Sequence, residues 1–232
     1  MSHIRMAQPL QSGRRLLPAL VVMAALSGCG GNVARSPARP LFDGRTLDGW
    51  QGDSRVWAVR DGAIVGSSRP AGLARNTFLI ADGSYADFTL HADFKHAEGG
   101  SGVQFRSRRL TGDGFRVAGF QIDIGDGETG SIYEEAGRGT LAAVDPARLR
   151  RILRPGDWNT LTIRAIGNRF EVWVNGRVAA RYTEPSSERC PRSGLIALQM
   201  QAGLPMDIAF RNLRIEIPGS ADFTAPSSTA AR

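Results

Sequence analysis

The chain reads as an all-β protein, an antiparallel β-sandwich of the jelly-roll kind. Three observations carry that reading: hydrophobic residues recur with period two through most of the chain, paired turn residues separate the runs, and 28 of the 232 residues are glycine. "WAVRDGAIVG" reads as two strands around Asp61-Gly62, and "FEVWVNGRVAARY" as two around Asn175-Gly176, a pair suited to the positive φ angles of a type I′ hairpin. Further strands are expected in "DFTLHADFKH", "GSGVQFRSRR", "GFQIDIG", "NTLTIRAIG", "SGLIALQMQA" and "MDIAFRNLRIEI". One segment, "VDPARLRRIL", predicts a helix, with Asp145 at the N-cap and Pro146 at the first helical position.

The domain is bracketed by segments of different character. Arg14 and Arg15 precede the apolar run "LLPALVVMAALSG", too short for an ordinary membrane span and placed as a signal peptide over residues 1–28. Its "LSGC" ending resembles a bacterial lipobox, which makes Cys29 the lipidated residue of a protein anchored in the cell envelope. Residues 29–40 read as a flexible tether, 41–217 as the folded domain and 218–232 as a disordered tail. With Cys29 acylated, Cys190 has no disulfide partner, and no neighbouring base in the sequence marks it as a nucleophile.

Charge excludes one class of partner. The formal +7 falls to +4 when residues 1–28, which hold three arginines and no acid, are set aside. No basic run is interleaved with stacking aromatics, so nucleic acid is not expected.

Strand parity places the polar residues. Val103 and Phe105 face the core, leaving Gln104, Arg106 and Arg108 opposite. Phe120, Ile122 and Ile124 leave Gln121 and Asp123 opposite. Ile196, Leu198 and Met200 likewise leave Gln199 and Gln201. Glutamine, arginine and aspartate on three strand faces form a surface suited to hydrogen-bonding a polyol, hence a carbohydrate ligand or substrate. The acids after Asp123 are ambiguous. "DIGDGE" has the oxygen-rich, glycine-punctuated composition of a calcium loop without EF-hand spacing, so a divalent metal such as calcium is compatible with the chain, although no cofactor is required. Asp126 and Glu128 are expected to shape the turn, and "SIYEEAGRG" is either a loop or a brief strand end.

Taken in order, "LFDGRTLDGW", "WAVRDGAIVGS", "YADFTLHADFK", "GSGVQFRSR", "GFQIDIG", "GSIYEEAGRG", "PGDWNTLTIRAIGNRFEVWVNG" and "GLIALQMQAGLPMDIAFRNLRIEI" resemble the 3-keto-disaccharide hydrolase family from about Leu41 to Ile217. The resemblance implies a concanavalin A-like jelly roll. It also implies cleavage of glycosides already oxidised at carbon 3: the ketone acidifies the C2 hydrogen, a base removes it, and the C1 substituent leaves. On that basis Asp123 is the expected base with Glu134 or Glu135 as competitors, and Arg106 the oxyanion stabiliser. Gln104, Gln121, Tyr133, Gln199 and Gln201 are expected to bind sugar, with Glu134 and Arg138 at the cleft and Arg138 pairing nearby carboxylates. Relatives often carry histidine where this chain has Gln201, which cannot act as a base. Gln121 stands where a retaining laminarinase-like glycosidase needs its nucleophile, so direct hydrolysis of an unoxidised glycoside is disfavoured. A noncatalytic, lectin-like module is the alternative reading of the same cleft.

Overall fold

The computed structural model describes residues 37–218, apart from 97 and 113. The proposed signal peptide, Cys29, the first part of the proposed tether and residues 219–232 lie outside the described residues. The strands are β1 (Arg39–Pro40), β2 (Trp50–Gln51), β3 (Trp57–Arg60), β4 (Ala63–Ser67), β5 (Thr77–Ala81), β6 (Phe88–His96), β7 (Gly100–Arg109) and β8 (Val117–Gly125). After β9 (Ile132–Glu135) and β10 (Gly139–Ala142) comes helix α1 (Pro146–Ile152). Strands β11 (Trp158–Ile166), β12 (Arg169–Val174), β13 (Arg177–Thr183), β14 (Leu195–Met200) and β15 (Asp207–Glu216) complete the fold.

These strands form two antiparallel sheets packed as a sandwich. One runs β13-β12-β11-β6-β15-β4-β3 with β1 added beside β15, and the other β10-β9-β8-β7-β14-β5-β2. The sandwich follows from alternation: β6 and β11 bury every second residue, so the eight-stranded sheet has one apolar face that must be covered by the other sheet. At the centre, Phe105 of β7 and Phe120 of β8 stack at 5.5 Å, and Phe170 of β12 meets them edge-on at 5.0 and 4.7 Å. These rings tie the two sheets together.

The two turn predictions hold in detail. Asp61 and Gly62 have φ of 49° and 75°, and Asn175 and Gly176 have 49° and 72°. Helix α1 starts where expected, the Asp145 carboxylate accepting a hydrogen bond from the Ala147 N–H.

Other elements differ from the expectation. Arg39 and Pro40, read as tether, pair with Ile215 and Arg214, so the sheet begins two residues before Leu41. Strand β5 escapes a period-two reading because both its faces are covered: Leu79 joins the main core while Phe78 and Ile80 pack with Val117 and Ala197 in a second cluster. "SIYEEAGRG" is a hairpin, β9 and β10, at the edge of the seven-stranded sheet. No described helix is long and apolar enough to cross a membrane.

Removing the ring that links the sheets tests this core. Phe170→Ala is expected to lower unfolding free energy by about 3–5 kcal/mol, read from urea denaturation, because it deletes a fully buried aromatic between two well-packed layers.

Candidate functional site

The outer face of the seven-stranded sheet carries a polar cleft whose floor is made of glycine. On β7 the outward positions are Gly100, Gly102 and Gln104, and a Cβ at Gly102 would stand 2.5 Å from the Gln121 side-chain carbonyl carbon. A Cβ at Gly100 would collide with the Gln201 amide. The bare central strand therefore lets side chains from its neighbours lie across it. From β8 on one side come Gln121 and Asp123, and from β14 on the other Gln199, followed by Gln201.

Those side chains form a directed hydrogen-bond chain. The Ser107 hydroxyl donates to Gln104 Oε1 (2.6 Å), and Gln104 Nε2 donates to Gln121 Oε1 (2.7 Å). With its oxygen committed, Gln121 has its amide N–H groups free to donate to Asp123 Oδ1 (2.8 Å) and Gln199 Oε1 (3.2 Å). Gln199 Nε2 donates in turn to Glu135 Oε2 (3.4 Å), whose other oxygen accepts from Asn76 Nδ2 (3.0 Å). Asn76 is itself held by the Ala202 N–H at 2.9 Å. Each amide's orientation follows from the one before it.

Asp123, Glu128 and Glu135 line one cavity of about 140 Å³ together with Tyr133, Gln199 and Gln201. No described cation is hydrogen-bonded to Asp123. Burial, with the charges of Glu128 and Glu135 acting in the same direction, raises its pKa to about 7 against the opposing hydrogen bond from Gln121. Tyr133 stands opposite Gln121 in the β8–β9 register, and its phenol is raised by burial and by Glu135, Asp123 and Glu128, so it stays protonated. Neither the Tyr133 hydroxyl nor the Gln201 amide hydrogen-bonds to any described residue, which leaves both as uncommitted donors at the cavity.

Strand parity thus brings Asp123, Gln121, Gln199 and Gln201 to the expected face, and Glu135 and Tyr133 join them from β9. Gln104 is wholly buried and spent on its neighbours, so it positions Gln121 instead of meeting a sugar.

Three expectations require correction. Arg106 is not in the cavity. A one-residue bulge between Phe105 and Arg108, with Arg106 at φ 45°, turns its side chain away, and the guanidinium is buried against Phe170. It donates to the carbonyls of Ala86, Gly167 and Pro191 and pairs with Asp87, so it cannot stabilise an oxyanion near Asp123. Glu134, opposite Phe120 in register, shares that residue's inward side of β9. There Arg138 bridges it to the buried Glu184, just beyond the end of β13 in the other sheet, and although burial opposes it, Arg138 holds the Glu134 carboxyl below its usual range. The expected pairing of Arg138 with nearby carboxylates is present, but as a tie across the sandwich edge. Asp126 and Glu128 both lie in the turn over residues 126–130, as expected, but Glu128 also lines the cavity while Asp126 is exposed and does not.

Among the described residues no group of three or more His, Cys, Asp or Glu side chains is placed to hold a metal ion. His91 and His96 both belong to the eight-stranded sheet. His91 contacts Thr162 and Glu216, and His96 the Gly99 carbonyl. Cys190 is buried beside Arg106, with no base against it. Parity reasoning missed Asn76, a loop residue for which the sequence holds no signal. The alternating glycines of "GGSG" were a legible sign of the floor.

A family model described as the 3-keto-alpha-glucoside-1,2-lyase-like domain matches residues 37–216. The chain belongs to this family. Among solved structures the domain is similar to a "putative glycosyl hydrolase" from Parabacteroides distasonis, with 24% identity and a TM-score of 0.56 over 77% of this chain and 98% of that one. It is also similar to carbohydrate binding module CBM66 from Bacillus subtilis, with 19% identity and a TM-score of 0.54 over 73% and 96%. A third likeness is to Bacillus licheniformis beta-glucanase, with 12% identity and a TM-score of 0.51 over 78% and 97%. At these identities the likeness is one of fold, the jelly-roll sandwich that glucanases and sugar-binding modules share. No curated protein matches the chain in sequence.

Burial of Asp123 predicts a stability signature. Its folded pKa lies above the ordinary value near 4, so the folded protein binds the extra proton between about pH 4 and 7 and stability falls as pH rises through that window. Asp123→Asn is therefore expected to be more stable than wild type at pH 8, on the order of 1–3 kcal/mol, with the difference vanishing near pH 4. Thermal unfolding at the two pH values measures it.

Proposed function

We propose that the domain cleaves glycosides carrying a ketone at carbon 3, with Asp123 as the base. The observation that carries this reading is a buried carboxylate in a polar cavity, with a pKa of about 7 and one oxygen uncommitted, in a chain of the 3-keto-glucoside lyase-like family.

The reaction balances on groups present at the cavity. Asp123 takes the C2 proton, and the electron pair moves onto the C3 oxygen as an enolate. Gln201, an uncommitted neutral donor, faces that charge in the role first assigned to Arg106. Collapse of the enolate breaks the C1–O bond, and the leaving oxygen takes the Tyr133 hydroxyl proton. Tyr133 serves here because a phenol can give up a proton and an amide cannot. The protonated Asp123 then returns its proton to Tyr133, leaving an unsaturated 3-keto sugar and a free alcohol. Water addition to the former gives the hydrolysis product. Glu135, with both oxygens held by the amides of Asn76 and Gln199, is an acceptor for sugar hydroxyls. The "LSGC" segment supports a further part of the proposal, that export and acylation at Cys29 place this domain on an envelope membrane.

Turnover of 3-keto-glucosides and their unoxidised counterparts by residues 30–232, with and without chelator, tests the proposal. Wild type is expected to consume only the 3-keto substrates, with kcat/KM rising as pH passes through about 7. Asp123→Asn should lose about 100-fold or more. Tyr133→Phe should slow alkyl glycosides far more than nitrophenyl ones, whose leaving oxygen needs no proton. Saturable binding without turnover by wild type would instead make the domain a noncatalytic sugar-binding module.

A further inference from the structure

The cleft does not end at the Asp123 cavity. Glu135 also lines a second, larger hollow of about 290 Å³ at the far end of β7, β8 and β9, bounded by the β9–β10 turn and the segment around Glu188–Ser193. Gly119, against Ser107 of β7, borders the second hollow. It pairs with Glu135 in register, and a Cβ there would meet the Ser107 hydroxyl at 2.6 Å. From Asp123 to Gly119 is four residues of extended strand, about 13 Å, a span suited to a sugar ring and its leaving group.

The two ends of this trough differ in uncommitted charge. At the near end the uncommitted acids are Glu128 and the second oxygen of Asp123, with no described cation lining the cavity. Six charged residues border the far end, and the side chains of three are spent elsewhere: Arg106, buried, on Asp87 and backbone carbonyls, Glu134 on Arg138, and Glu135 on Asn76 and Gln199. The side chains of Arg108, Glu188 and Arg189 bond to no other described residue. Two free guanidinium groups against one free carboxylate make the far end cationic. A guanidinium presents a planar fork matched to carboxylate geometry. Such a field orients a substrate that is neutral at one end and acidic at the other, and opposes the reverse placement.

We infer that the second hollow is a leaving-group subsite for carboxylate-bearing aglycones, so that the preferred substrates are 3-keto-glycosides of a uronic acid or an aromatic acid. The inference rests on the proposed reaction for its substrate's other half, but the subsite is testable alone.

Matched 3-keto-glucosides of 4-hydroxybenzoate and 4-hydroxybenzamide differ only in charge. Wild type is expected to show a KM about tenfold lower for the carboxylate, the worth of one charge-assisted hydrogen bond. The preference should shrink at high salt and disappear in Arg108→Gln/Arg189→Gln, while turnover of the carboxamide stays within about twofold. Glu188→Gln should widen it. Equal KM values, or a preference that survives in the double variant, overturn the subsite. If neither glycoside is turned over, the reaction is what fails, and NMR titration with free 4-hydroxybenzoate and 4-hydroxybenzamide decides the subsite. Arginine-dependent preference for the benzoate upholds it, and equal binding removes it.

Discussion

An ionised carboxylate set into a face of amides, with acids for neighbours and no cation in contact, is held where its charge is poorly solvated. That is the situation of Asp123, and much of the surrounding structure serves to maintain it. The glycines of β7 lower the floor so that Gln121 can lie across it. Ser107 and Gln104 fix which end of the Gln121 amide faces Asp123, and the same amide fixes Gln199 and through it Glu135. A flipped amide anywhere along this chain would leave a buried donor or acceptor unmatched, at a cost of about 1–3 kcal/mol, so the network resists rearrangement.

The arginines lie outside this chain of amides. Arg106 and Arg138, both read as cleft residues, instead tie the two sheets together at the sandwich edge, one through Asp87 and backbone carbonyls, the other through Glu134 and Glu184. Placing either cation beside Asp123 would lower its pKa and weaken it as a base near neutral pH. The bulge that turns Arg106 inward thus has a functional consequence as well as a structural one. The acids of the cavity have the opposite effect: Glu128 and Glu135 help keep Asp123 able to hold a proton, and keep Tyr133 protonated.

How far this was legible from the amino-acid sequence varies with the physics of each position. Regular alternation carried Gln121, Asp123, Gln199 and Gln201 to one face, because period two holds wherever the ladder is unbroken. It failed at Arg106, where an inserted residue changes parity without any sequence mark, and at β5, where both faces are covered. Glu128 and Asn76 reach the cavity from a turn and a loop, where no period applies. Gln201, expected from the family resemblance to stand where relatives often carry histidine, lines the same cavity as Asp123. The group it offers there is a neutral donor and not a second base.

The central claim is that Asp123 takes and releases its proton near neutral pH because of where the fold holds it. Carbon-13 NMR titration of the Asp123 carboxyl in the intact domain tests this directly. The structure predicts a midpoint of about 7, moving down in Glu135→Gln and Glu128→Gln as each neighbouring charge is removed. A midpoint near 4, unmoved by those substitutions, would contradict it and leave the cleft without its base.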